Sequence, residues 1–188
     1  MLVVDLETTG LSADSEVPLE AGFIIVDKYG NEKDHMDFLI WEDTDQYKNA
    51  WTGMIDFVKD MHQKNGLSAD LFSGRPLWTR RAVALAAMNW VYEMGYDKGE
   101  LPIMGSSIGS LDRPFLIKHF DFLNEFLSYR NIDVSTLKEI AKRFRPDLYN
   151  YYEKNYPKES AVHRVLEDCR SSIHQYQYYL SSFTQSGI

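Results

Sequence analysis

The chain switches between two hydrophobic periods, and the switches mark its elements. Leu2 to Leu6 is a short apolar, β-branched run that predicts a strand, closed by the turn signal Thr8-Thr9-Gly10. Glu20 to Lys28 reads as a second strand, and Tyr29-Gly30-Asn31 turns it into a third, His35 to Trp41, so the two form a hairpin. Asp43 to Ser73 is polar, helical in parts and without strong periodicity. From Thr79 the spacing becomes helical, with Val83, Ala86, Ala87, Trp90, Val91 and Met94 on one stripe and Gly95 as the stop.

Leu101 to Gly105 is a further short strand. Pro114 sits in the first turn of a helix expected to carry Phe115, Leu116, His119, Phe120, Leu123 and Leu127 on one stripe. Asn131 to Val134 predicts another brief strand. Thr136 with Glu139 has the spacing of a capping box opening a helix from Leu137 to Phe144. Arg145-Pro146 is expected to end that helix, with a Tyr-rich loop following through Pro157 and a last helix from about Arg164 to Phe183. A hairpin first and strand–helix alternation afterwards predict a mixed sheet packed by helices, in the α/β class, although periodicity does not give the strand order.

At 188 residues the chain suits one compact domain, 1–188, without repeats or linkers. Cys169 is the one cysteine, which excludes an internal disulfide and a cysteine-rich zinc site. With no stapled framework, no apolar run long enough to span a bilayer and no basic, apolar leader, the expectation is a soluble cytoplasmic protein without a membrane partner. The net charge of −8 changes the picture most. A protein that grips long nucleic acid neutralises many phosphates and carries a basic surface. This chain either avoids nucleic acid or handles short pieces with the help of divalent cations.

Candidate chemistry lies in the acids. Asp5 and Glu7 are two apart on a predicted strand, so both point to one face. Two carboxylates held together repel unless protonated, solvated or bridged by a cation, and hard cations such as Mg²⁺ or Mn²⁺ take oxygen ligands. Asp112 stands between a strand and a helix, where an N-cap is the plain alternative. Asp168 lies in the first turns of the last helix and could equally compensate its dipole. His163 precedes that helix and is expected to project from the loop. Taken singly, each of these residues has an ordinary structural explanation.

Their order along the chain is more specific. Val4-Asp5-Leu6-Glu7-Thr8-Thr9-Gly10-Leu11, then Ile108-Gly109-Ser110-Leu111-Asp112, then His163-Arg164-Val165-Leu166-Glu167-Asp168 resemble the DEDDh 3′-to-5′ exonucleases. That resemblance implies an RNase H-like mixed five-stranded sheet flanked by helices. It implies that Asp5, Glu7, Asp112 and Asp168 bind two divalent metal ions, Mg²⁺ or Mn²⁺, with His163 as general base. The residue types fit independently, because a cation pair stabilises the attacking and leaving oxygens of a displacement at phosphorus. A neutral imidazole takes a proton near working pH.

Further runs resemble the oligoribonuclease branch of these enzymes: Gly105-Ser106-Ser107-Ile108-Gly109, Tyr129-Arg130-Asn131-Ile132-Asp133-Val134-Ser135-Thr136-Leu137-Lys138-Glu139, and His62 followed by Gly66-Leu67. This implies a homodimer that cleaves short single-stranded RNA, down to dinucleotides, with short DNA as a second candidate substrate. By the same resemblance Ser107, Arg130, Ser135 and His62 cap the terminal phosphate, Leu11 and Phe57 wedge the bases, and Tyr129 reaches the partner's site. Ser106 stands where the branch usually has Asn, Phe57 where it has Trp, and one extra residue separates Ser107 from Asp112. Two alternatives stay open at this point: an exonuclease for longer single strands, and a non-catalytic nucleic-acid-binding module.

Overall fold

The computed structural model describes residues 1–156 and 163–185. Three strands open the chain: β1 (Leu2–Thr8), β2 (Pro18–Val26) and β3 (Glu32–Leu39). They pair antiparallel in sequence, β1 with β2 and β2 with β3. Two short strands, β4 (Ile103–Gly105) and β5 (Asn131–Asp133), add in parallel on the other side of β1. The result is one five-stranded mixed sheet in the order β3-β2-β1-β4-β5. β2 is buried along its whole length, as a strand covered on both faces must be. β3 forms one edge, and its exposed Glu32, Lys33, Asp34 and His35 discourage pairing with another chain.

The helices divide between the two faces. After β3 come α1 (Asp45–Gly53), α2 (Asp56–Lys64), α3 (Leu67–Leu71) and α4 (Arg80–Glu93). Beyond β4 lie α5 (Asp112–His119) and α6 (Asp121–Phe126), and beyond β5 come α7 (Val134–Phe144), α8 (Pro146–Asn155) and α9 (Val165–Gln185). On one face Leu2 and Val4 of β1 and Ala21, Phe23 and Ile25 of β2 pack with Val83, Ala87 and Val91 of α4 and with Leu116, Phe120 and Leu123. On the other, Val3, Ile24, Val26 and Met104 pack with Val134, Cys169 and Ile173. This alternation follows from the two-residue period of the pleat. It also directs Asp5 and Glu7, in phase with Val3, toward the face that α9 covers. No helix among the described residues is long and apolar enough to cross a membrane.

Three expectations are corrected. The stripe from Phe115 to Leu127 is two helices, because Phe120 leaves the helical conformation at φ −132°, ψ 47° and is fully buried; core packing overrides the helical period there. The capping box is not formed. α7 starts at Val134, and the Asp133 carboxylate accepts from the Ser135 amide, leaving Thr136 and Glu139 inside the helix. The expected Tyr-rich loop is a helix as far as it is described, with Pro146 supplying its first turn. Tyr149, Tyr152 and Tyr156 fall at helical spacing, and Tyr152 packs against Tyr178, Tyr179 and His174 of α9. The Tyr152 hydroxyl lies 3.0 Å from His174 Nδ1. Pro157, the expected end of that loop, lies outside the described residues.

Candidate active site

The sequence Thr8-Thr9-Gly10 shapes the exit of β1. The Thr8 hydroxyl donates to the Gly10 carbonyl at 2.6 Å, and the Thr9 hydroxyl donates to Glu16 while accepting from the Val17 amide. The loop is thereby folded back on itself, with Leu11 at its tip 81% exposed. Beneath it opens a cavity of about 300 Å³ lined by Asp5, Glu7, Asp112, His163 and Asp168 together with Leu11, Phe57, Met61, Ser106, Leu111 and Phe115. The four predicted acids and His163, drawn from three separate stretches of chain, therefore face one space.

Each acid is set by a specific contact. Asp5 pairs across the sheet with Gly22, and Glu7 with Glu20. Gly22 permits the closest approach among the described glycines, since a Cβ there would stand 2.6 Å from the Val165 Cβ. α9 consequently rests on the backbone of β2, bringing Asp168 over β1. Asp112 is buried at the start of α5, where its Oδ1 accepts from the Leu6 amide at 3.0 Å and ties α5 to β1. It is therefore not the N-cap that the plain reading offered; Leu111 occupies that place without a side-chain cap. His163 stands outside α9, as expected, with φ +49°. Its backbone carbonyl accepts from the Asn65 side-chain amide.

The electrostatics show a cluster short of positive charge. Burial, followed by the charges of Asp112, Glu7, Asp168 and Glu20, holds Asp5 well above the usual carboxylate range. Burial and the repulsion of Asp168, Glu20 and Asp112 lift Glu7 to about 8, with Arg164 opposing. Burial lifts Asp112 to about 7 against its backbone hydrogen bonds. Arg164 is already committed elsewhere: its Nε and Nη2 engage both oxygens of Glu20, and Nη2 also meets Asp70 at 2.9 Å. Buried anions in this number require a compensating cation. Glu7, His163 and Asp168 offer donor atoms that all lie within 4.8 Å of one another. An oxygen-rich set with one imidazole suits a divalent ion such as Mg²⁺ or Mn²⁺. Asp5 and Asp112 line the same cavity just outside that group.

The remaining candidates divide. Leu11 and Phe57, the latter 73% exposed, present apolar surface at the cavity mouth. Ser107 and Ser135 lie in an adjoining depression with Asp133, Glu139 and Arg143. Ser135 Oγ stands 3.1 Å from Ser107 Oγ and 3.0 Å from Ser106 Oγ, and it accepts from the Ser107 amide. Tyr129 is 76% exposed with the Arg130 guanidinium over its ring, and neither residue lines the cavity of its own chain. His62 departs from its expected place in the cap: it is fully buried, with Nε2 2.9 Å from the Thr8 carbonyl and Nδ1 3.9 Å from Glu7. It lies behind the wall that carries Glu7, without a surface to offer a phosphate. Glu20, Gly22, Asn65 and Arg164 were not singled out from the sequence. Glycine inside the apolar run of β2 was the one available signal, since it marks close backbone approach.

No family model matches the chain. The oligoribonuclease of Streptomyces coelicolor is 34% identical over 183 residues, covering 95% of this chain and 84% of the relative. That of Haemophilus influenzae is 32% identical over 183 residues, covering 97% and 94%. Among solved structures, E. coli exonuclease I in complex with single-stranded DNA superposes with a TM-score of 0.68 at 14% identity, over 96% of this chain. The chain spans 40% of that larger protein, and the likeness establishes a shared RNase H-like fold. With a third of its positions identical to those relatives along nearly its whole length, the chain belongs to the oligoribonuclease family.

Proposed function

We propose that this chain is a 3′-to-5′ exoribonuclease that hydrolyses short RNA, down to dinucleotides, releasing nucleoside 5′-monophosphates with two divalent metal ions, Mg²⁺ or Mn²⁺. The observation that carries the reading is the convergence of Asp5, Glu7, Asp112, Asp168 and His163 on one cavity. Family membership supports it, and so does the size of the cavity, about 300 Å³. That volume lies at the lower end of the ligand-pocket range and suits a strand terminus better than a long track. The acidic net charge points the same way.

Asp5, Glu7, Asp112 and Asp168 would hold the cations, which when bound stabilise charge on the attacking and leaving oxygens at phosphorus. The chain supplies the rest. Leu11 and Phe57 hold the terminal bases by apolar contact and orient the last phosphodiester over the acids. His163 takes a proton from the attacking water. That water oxygen bonds to phosphorus as the bond to the 3′ oxygen of the preceding nucleotide breaks. The freed oxygen is protonated, and the terminal nucleotide leaves as its 5′-monophosphate. Ser107, Arg130 and Ser135 act as the phosphate cap behind a short substrate, a role for which a guanidinium is well suited.

Exposure of Tyr129 outside its own cavity supports a homodimer in which it completes the partner's site. Sedimentation of the purified chain tests this, and a monomer at assay concentration removes that role. A length series tests the activity itself. With 5′-labelled RNA of two to about twenty nucleotides and Mn²⁺, turnover should be fastest for the dinucleotide. Faster consumption of the longest strand would favour a processive exonuclease, and activity indifferent to chelation would end the metal mechanism.

A further inference from the structure

We infer that Asn65, which lies outside the cavity, is a positioning residue that holds the His163 imidazole over the acidic cluster by gripping its peptide. The inference rests on the reading of His163 as general base. His163 has φ +49°, in the left-handed region that a residue with a side chain adopts only when its surroundings impose it. Two contacts hold the peptide that follows it. The Asn65 Nδ2 donates to the His163 carbonyl, while its Oδ1 accepts from the Leu67 amide at 2.9 Å. Both ends of the amide are thereby used, so the group cannot rotate without placing oxygen against oxygen. On the next residue, the Arg164 guanidinium is forked onto Glu20 and Asp70.

The His163–Arg164 peptide is thus held at its carbonyl and through the Arg164 side chain, and the fixed backbone sets the point and direction from which the imidazole leaves the chain. Asn65 caps the C-terminus of α2, the helix whose Phe57 and Met61 line the cavity. One rigid element therefore carries both the apolar wall and the grip on the base. Loss of the grip lets His163 relax toward ordinary backbone angles and swings the ring away from its working position. A general base must lie within hydrogen-bond reach of the proton it takes, so small displacements are costly in rate.

The test is steady-state hydrolysis of a labelled RNA dinucleotide with Mn²⁺ by N65A, N65D, H163A and the N65A/H163A double variant. N65D keeps the oxygen that accepts from the Leu67 amide and turns an anionic oxygen, in place of the donor, toward the His163 carbonyl, so it breaks the grip without removing the turn and carries the test should N65A fold poorly. The expected result is a fall in kcat of about 10- to 100-fold in both single Asn65 variants, as for other supporting contacts of an active site. KM should stay within about threefold of wild type, because ground-state binding is untouched. In the H163A background N65A should cost nothing further. Wild-type kcat in N65A and N65D beside an inactive H163A overturns the positioning role alone. Full activity in H163A overturns the general-base reading on which it rests. Additive losses overturn it by showing that Asn65 acts through the fold and not through His163.

Discussion

Gly22→Ala is the substitution from which the geometry of this fold predicts most. A methyl group at position 22 would stand 2.6 Å from the Val165 Cβ, 2.8 Å from its Cγ2 and 3.1 Å from its backbone carbonyl carbon. Ordinary carbon–carbon contacts lie at about 3.5–4.0 Å, so α9 must move off β2 by roughly 1 Å. Overpacking of this kind costs about 1–3 kcal/mol. For a protein of this length that lowers Tm by roughly 2–12 °C. The displacement falls on the N-terminal turn that carries Asp168 and adjoins His163, while Asp5, opposite Gly22, stays with the sheet. Asp168 and His163 then separate from Asp5, and a misplacement of about 1 Å is enough to cost roughly 100-fold in rate. V165A should restore little, because the closest clash is with the Cβ that alanine keeps. The assay pairs thermal unfolding with dinucleotide kcat, using Gly53→Ala as control. Gly53 ends α1 with nothing within 4 Å of an added Cβ, so G53A should be neutral or slightly stabilising. A G22A protein with wild-type Tm and kcat would show that α9 does not depend on this approach.

Three further outcomes follow from the same site. Burial and neighbouring carboxylates raise Glu7 to about 8 and Asp112 to about 7 in the folded chain, against about 4 for free carboxyls, so the chelated protein is favoured at low pH and loses that contribution progressively as pH rises from about 4 to 8. The gain in Tm on adding Mn²⁺ should accordingly grow between pH 5 and 8, and a gain that is flat or shrinks across that range refutes the assignment. R164A leaves Glu20, 2% exposed, without its guanidinium; removing one partner of a buried pair should cost roughly 3 kcal/mol in urea titration, whereas a loss near zero would mean that Glu20 is neutralised otherwise. R130A should reduce turnover of a dinucleotide more than that of a ten-nucleotide strand, because a long chain gains contacts beyond the phosphate, and equal losses would count against a cap.

What the chain revealed before folding was local in origin. The alternation in β1 placed Asp5 and Glu7 on one face, and the signature around them led to the acids and His163. Where the sequence misled, longer-range packing had intervened. Phe120 breaks a helical stripe because its ring is needed in the core. Asp133 takes the capping position because its carboxylate also receives the Ser107 amide. The tyrosines after Pro146 have the spacing of a helix, yet their density reads as a loop until α9 supplies the rings against which they pack.

The sequence by itself determined most of the elements, the family and the candidate reacting groups, because period, turn chemistry and motif spacing are properties of neighbouring residues. Tertiary structure alone decided how those groups are held. The raised proton affinity of Glu7 and Asp112 arises from burial and from carboxylates distant in sequence. His62 withdrew behind Glu7, and Asn65 took hold of a peptide 98 residues away. Such contacts join segments whose separation along the chain carries no periodic trace, so they come into being only when the sheet and α9 close upon each other.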